Sequence, residues 1–357
     1  MSQTALARSA EFCARFGLRI PILMAPMAGA CPAPLAAAVA NAGGMGACGA
    51  LLMEPDAIRD WAAGYRARSN GSYQINMWIP DPAAPRDPVA EASIREFLSG
   101  WGPAPDPDAP DVPLPDFAAQ CEAMLEAGPS SISSIMGLYP PEFVARMKDR
   151  GIKWYATVTT VAEARLAAEA GADVIVAQGS EAGGHRGAFE ASAAETAMVG
   201  LFSLLPAVVD AVDVPVVATG GIADGRGVAA ALLLGASAVQ VGTALLRAPE
   251  AETAPAWADA LAGRAPEDTV PTRAFSGRLG RSLRTDYTEA ARAPDAPKPA
   301  PYPVQRALTG AMRKTAANDG DVQRMQAWAG QSAGMARAVP AADIVAEMWA
   351  DAQDLLR

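Results

Sequence analysis

A chain of 357 residues, 51% hydrophobic and 19% charged, has enough apolar material for a large buried core. Its length suits an α/β barrel, which fills about 250 residues or more as one unit, with additions. A formal net charge of −10 and the lack of any lysine/arginine cluster exclude binding driven by phosphate counterion release, so nucleic acid is not an expected partner. The four cysteines, Cys13, Cys31, Cys48 and Cys121, form no CxxC pair, which argues against a disulfide framework or a zinc site and fits a cytoplasmic protein. Glu11, Arg15 and Arg19 interrupt the N-terminus, and no run approaches the ~20 apolar residues that span a bilayer. A protein without a targeting segment or membrane span is expected.

In chain order, short β-type runs alternate with alanine-rich helical stretches. Strands are expected at 20–26, 45–50, 73–79, 130–136, 153–159, 173–179, 214–220 and 238–244. Between them, segments 32–44, 160–172 and 224–236 carry helix start and stop signals, such as Thr160 followed by Glu163, and Asp224 followed later by Gly235. Eight strands in this alternation predict a closed (β/α)₈ TIM barrel. An open doubly wound sheet competes, but the glycines recur at many strand ends rather than in one GxGxxG after the first strand.

Two regions depart from the alternation. Residues 80–115 hold ten of the 30 prolines, which forbids a regular helix or central strand throughout and predicts a long excursion over the barrel mouth. From about 249 onward, helical and loop character takes over. The expected division is a barrel over 1–248, a smaller helical cap over 249–340, and a C-terminal amphipathic helix over 341–357 that packs back on the barrel.

Barrel enzymes carry their chemistry at the C-terminal strand ends and commonly hold phosphate after strands seven and eight. The first of those loops is ATGGIADGRG (218–227), in which Gly220 and Gly221 let backbone N–H groups approach an anion just before a helix. The second is QVGTALL (240–246), with Gln240, Gly242 and Thr243. Either alone reads equally well as a tight turn; together they predict a phosphate site. MAPMAG (24–29), with Ala25, Pro26 and Met27, could present amides to a flat ring, and Asn76 and Gln178 stand at strand ends where an amide can donate to and accept from a heterocycle. The only histidine, His185, lies six residues beyond Gly179 in SEAGGHRG, which suits a general base at a catalytic face. Its neighbour Arg186 reads equally as a holder of an anionic substrate or as a solvated surface charge. No metal site is suggested.

The segments MAPMAG, LAAAVANAGGMG (35–46), QINMW, AQGSEAGGHRG (177–187), ATGGIADGRGVAAALLLGASAVQVGT (218–243) and WAGQSAG (328–334) together resemble the nitronate monooxygenase family, formerly 2-nitropropane dioxygenases, and its class I most. The resemblance covers nearly the whole chain and is weakest across the proline-rich excursion and 250–270. It implies an FMN-dependent barrel with a smaller helical domain. FMN would contact Ala25, Pro26, Met27, Asn76, Gln178, Gly183, Gly220, Gly221 and the Gln240, Val241, Gly242, Thr243 segment. His185 would be the base for neutral nitroalkanes, and Tyr302, in PYPVQRALT, a pocket residue; other substrate-side tyrosines have no clear counterparts. The implied reaction oxidises alkyl nitronates, including propionate 3-nitronate, with O₂ to a carbonyl compound and nitrite. The expected partners are therefore a small-molecule nitronate and O₂, with homo-oligomerisation left open.

Two other readings remain at this stage. One is an FMN-dependent NAD(P)H:quinone or enoyl-thioester reductase, whose barrel shares a glycine-rich histidine loop. The other is a non-catalytic barrel that binds flavin or phosphate. An inosine monophosphate dehydrogenase type of barrel would need a cysteine after strand six, and none of the four lies there.

Overall fold

The computed structural model describes residues 3–357 other than 84 and 112. Its first nine strands are β1 (Ile22–Met24), β2 (Gly46–Gly49), β3 (Tyr73–Trp78), β4 (Ser131–Ile135), β5 (Lys153–Val158), β6 (Val174–Gln178), β7 (Gly184–His185), β8 (Val216–Thr219) and β9 (Ala238–Val241). All except β7 belong to one parallel sheet in the order β1-β9-β8-β6-β5-β4-β3-β2. A parallel bridge between Leu23 and Met45 joins its two ends, with the Met24 amide donating to the Met45 carbonyl at 2.9 Å. The result is the expected (β/α)₈ barrel, one strand for each predicted run.

Period-2 alternation assigns each strand's residues to a face. In β1, Ile22 and Met24 face the surrounding helices, while Leu23 joins Val176, Val217 and Ala238 inside the barrel. Phe12 and Phe16, from the helix Ala5–Phe16, pack into this inner cluster beside the N-terminal halves of the strands and close that end. Towards the other end the inward residues turn polar: Gln74, Asn76, Ser133, Thr157, Gln178, Thr219 and Gln240 are all buried there. An apolar floor beneath a polar mouth places the chemistry at the C-terminal ends of the strands.

The proline-rich excursion departs from expectation. It contains a regular 12-residue helix, Pro88–Ser99, with proline at its first position and the Asp87 side chain accepting from the Val89 and Ala90 amides. Pro88 needs no N–H partner at that position, so it starts the helix instead of breaking it. Ile94 and Leu98 on this helix pack against Phe275, Tyr287, Val304, Leu308 and Met312. The excursion is thereby tied to the chain's last third.

That last third is not wholly helical either. It contains β10 (Thr269–Thr272) and β11 (Gly280–Leu283), which pair antiparallel, and β11 also pairs with β7. The helix Ala341–Leu356 packs on the barrel helices Gly225–Leu233 and Ala33–Asn41. Contact is so close at Gly225 that a Cβ there would sit 2.4 Å from the Asp351 Cβ. Among the described residues, no helix is long and apolar enough to cross a membrane.

Candidate active site

A cavity of about 440 Å³ opens at the C-terminal ends of the strands, within the range of small-ligand and cofactor pockets. Its lining includes Ala25, Pro26, Met27, Asn76, Gln178, Gly183, His185, Gly220, Gly221, Gln240, Gly242, Thr243 and Tyr302. Residues named from six separate stretches of sequence thus meet around one space.

One end of the cavity is a backbone cradle. Gly220 and Gly221 adopt φ of 114° and 72°, values that side chains rarely tolerate. Among the described residues the amides of Gly220, Gly221, Gly242 and Thr243 donate to no protein acceptor. The segment 330–332 completes the cradle: the Gly330 amide donates to Thr243 Oγ1 at 3.0 Å and Ser332 Oγ donates to the Gly221 carbonyl at 2.6 Å. Converging free N–H groups just ahead of the helix Gly225–Leu233 form an anion-binding arrangement suited to phosphate.

Two of the expected site residues do other work. Val241 faces the outer helical layer, because it alternates with the inward-facing Gln240, and its side chain does not reach the cavity. Arg186 is 5% exposed and points away from the cavity. Its guanidinium donates to the Gln178 carbonyl and to the carbonyls of Ala197 (3.1 Å) and Thr159 (3.3 Å), so neither the substrate role nor the surface-charge alternative holds. Burial pushes its pKa down to about 10. With both terminal nitrogens donating to carbonyls, the guanidinium is a brace that ties the loop after β6 to neighbouring segments.

Gln178 is also a brace. Its amide nitrogen donates to the His185 carbonyl at 3.0 Å, and its amide oxygen accepts from Gly187 N–H at 2.8 Å. Asn76 Nδ2 is anchored on Ser133 Oγ at 3.0 Å, which leaves its oxygen available as an acceptor at the cavity. Gln240 Oε1 accepts from Gln74 at 3.1 Å, leaving its own NH₂ to donate.

His185 is not in a loose loop. Residues 184–185 are the edge strand β7, with His185 opposite Gly280. Its ring stands edge-on to Trp78 (centroids 4.6 Å apart) and Trp328 (4.8 Å), and Trp78 also meets Tyr302 at 5.2 Å. Its Nε2 lies 2.7 Å from Ser276 Oγ, which in turn donates to the Arg278 carbonyl at 3.1 Å. Ser276 has one hydroxyl proton, and with that directed to the carbonyl the network assigns the imidazole proton to Nε2. Nδ1 then keeps its lone pair. Burial, followed by the charges of Arg278, Arg306 and Arg313, pushes the His185 pKa down to about 3, so the ring is neutral at ordinary pH. A neutral imidazole held between aromatic rings can accept a proton from a carbon acid.

Trp78, Ser276, Arg306, Arg313 and Trp328 line this part of the cavity without having been singled out from the sequence. Trp78, Trp328 and Arg306 fall inside motifs that were noticed, QINMW, WAGQSAG and PYPVQRALT, whereas Ser276 and Arg313 carry no local signal. Among the described residues no cluster of three or more His, Cys, Asp or Glu could hold a metal ion.

Comparison with known proteins agrees with this geometry. The family model described as nitronate monooxygenase matches residues 12–351. A nitronate monooxygenase of Paraburkholderia phytofirmans is 37% identical over 342 residues, covering 93% of this chain and 92% of its own. A probable nitronate monooxygenase of Staphylococcus aureus is 35% identical over 334 residues, covering 93% and 94%. Among solved structures, a nitroalkane oxidase from Streptomyces ansochromogenes superposes with a TM-score of 0.87 at 36% identity, covering 96% of this chain and 100% of its own. FabK from Thermotoga maritima gives 0.76 at 28% identity, covering 100% and 98%. On the family match and on the identity carried across the barrel and its cap, the chain belongs to the nitronate monooxygenase family.

Proposed function

We propose that the protein is an FMN-dependent monooxygenase that oxidises alkyl nitronates, including propionate 3-nitronate, with O₂ to a carbonyl compound and nitrite. His185 serves as the base when the substrate is a neutral nitroalkane. The observation that carries this reading is the joining, in one cavity, of a cradle of unpaired N–H groups and a neutral histidine boxed by tryptophans.

FMN fits the donor set. Its phosphate would take the amides of Gly220, Gly221, Gly242 and Thr243. Its ring would take the backbone of Ala25 to Met27 and the amide groups of Asn76 and Gln240, with Gly183 in close approach. When bound, the flavin supplies one-electron chemistry between a carbanion and oxygen. The barrel 1–248 would carry the cofactor, and residues 249–340, together with the excursion packed against them, would cover the substrate.

A nitronate is already a stabilised carbanion and needs only to be positioned. A neutral nitroalkane must first lose its α-proton, and His185 Nδ1 is the lone pair available to take it. Trp78, Tyr302 and Trp328 exclude water around that carbon, while Gln178 holds the His185 backbone carbonyl and Ser276 holds the imidazole at Nε2.

The discriminating test mixes purified holoenzyme with NADH under anaerobic conditions and, separately, with propionate 3-nitronate in air. Oxygen uptake with nitrite release, and no bleaching by NADH, is expected. Flavin bleaching by NADH alone would move the assignment to a reductase.

Gly183→Ala tests the cofactor site. A Cβ at this position would sit 2.4 Å from the Gly330 nitrogen and 2.6 Å from the Ala329 carbonyl carbon, so the backbone that closes the cradle must move. The variant is expected to bind FMN at least about tenfold more weakly, a loss of ~1.4 kcal/mol. Flavin-to-protein ratio after dialysis reads this directly, and full retention of flavin would separate Gly183 from the cofactor.

A further inference from the structure

The side of the cavity built by the last third of the chain carries two guanidinium groups, Arg306 and Arg313, on the successive helices Val304–Leu308 and Gly310–Asp319. Among the described residues neither has a carboxylate within ion-pair distance, in a protein with 39 acidic residues against 29 basic ones. The contrast with the third arginine near His185 is direct, since Arg278 is paired with Asp81. Arg306 donates no side-chain hydrogen bond to any described residue, while Arg313 donates only to neutral groups. These are Thr309 Oγ1 at 3.0 Å, Gln326 Oε1 at 2.9 Å and the Arg306 carbonyl at 2.8 Å.

Two half-buried cations without a counter-charge are unfavourable unless something negative joins them. Their effect on each other and on His185 has the sign this requires: Arg306 lowers the pKa of Arg313, and both lower that of His185. The planar fork of a guanidinium matches a nitronate or a carboxylate, each of which presents two oxygens in a plane.

We propose that Arg306 and Arg313 form an anion subsite on the cap side of the cavity, taking the negatively charged oxygens of the substrate. Those oxygens belong either to the nitronate group itself or to a carboxylate on its tail. The proposal rests on the nitronate reading and adds to it the residues that select charge. The same two cations that weaken His185 as a base stabilise the anion produced when it takes a proton.

The test uses holoenzyme and the variants Arg306→Met and Arg306→Lys, with ethyl nitronate, propionate 3-nitronate and neutral nitroethane in an oxygen-uptake assay. Inorganic nitrate, a planar anion that cannot be oxidised, serves as competitor. Arg306→Met is expected to raise KM for the nitronates and the nitrate inhibition constant at least about tenfold, which is ~1.4 kcal/mol, with kcat moving less than KM. Arg306→Lys should recover part of the loss because it keeps the charge. KM for nitroethane should change by less than about threefold, while the acid limb of its pH profile moves upward as His185 loses a neighbouring charge. The groups facing His185 in that profile are Arg278 with its partner Asp81, Arg306, Arg313 and Tyr302.

Equal loss on both nitronates places the subsite at the head group, and loss on propionate 3-nitronate alone places it at the tail; either supports the proposal. Unchanged KM for every anion, or an equal rise in KM for neutral nitroethane, overturns it. If the wild type consumes no nitronate, the nitronate reading fails separately. Nitrate titration followed by fluorescence of Trp78 and Trp328, which line the same cavity, then still reports whether the anion binds.

Discussion

His185→Asn is expected to lower kcat/KM for nitroethane by about 10²- to 10⁴-fold, the range over which a positioned general base contributes, and to lower it for ethyl nitronate by less than about tenfold. The asymmetry follows from the chemistry, since only the neutral substrate has a proton to lose. Asparagine preserves a polar group near Ser276 and the antiparallel pairing of β7 with β11. Stopped-flow reduction or oxygen uptake with the two substrates in parallel makes the measurement. Equal loss on both forms would assign His185 to substrate positioning.

The pH dependence has a definite sign. A pKa depressed from 6.5 to about 3 keeps the imidazole in its neutral, proton-accepting form at every pH above that value. Nitroethane turnover should therefore show no loss between pH 8 and 5 attributable to this residue, and should fall only as the pH approaches the depressed value. An unperturbed histidine would lose the base through pH ~6.5.

The barrel was legible because each strand announces itself locally. Runs such as DVIVAQG and VPVVATG combine β-branched residues with flanking glycine, and the helices between them carry their own caps. The cavity floor was legible for the same reason, since glycine pairs and amides at strand ends become neighbours in any barrel of this kind. The helix Pro88–Ser99 was obscured by the prolines counted around it, although Asp87 followed by Pro88 is itself a helix start.

The site's far side was not legible, and the reason is non-locality. β11 is short, contains Arg281 and shows no alternation; it pairs with the nearby β10 along its whole length, and residues 184 and 185, about a hundred positions earlier, add to its other edge. Ser276 sits beneath His185 only after that pairing is made. Arg186 shows the converse failure. Beside a lone histidine in a glycine-rich loop, an arginine reads as functional, and only the folded chain shows three carbonyls converging on it.

Asp81→Asn is expected to destabilise the protein by about 2–4 kcal/mol, towards the low side of the range for breaking a buried ion pair because Asp81 is itself 25% exposed. Arg278 is 1% exposed, and beyond Asp81 its guanidinium donates to the Ala188 carbonyl at 2.9 Å. Removing the carboxylate leaves a desolvated cation beside His185. Arg278→Met with Asp81→Leu removes both charges and should cost less than the sum of the single variants, because no uncompensated charge remains. Calorimetric unfolding of the three variants measures this, and additivity would show that the two residues act independently. The catalytic consequence has its own sign. An unpaired Arg278 lowers the His185 pKa further and makes it a weaker base, so Asp81→Asn should reduce nitroethane turnover more than ethyl nitronate turnover. Asp81, at the start of the excursion, thereby helps set the basicity of His185 through Arg278.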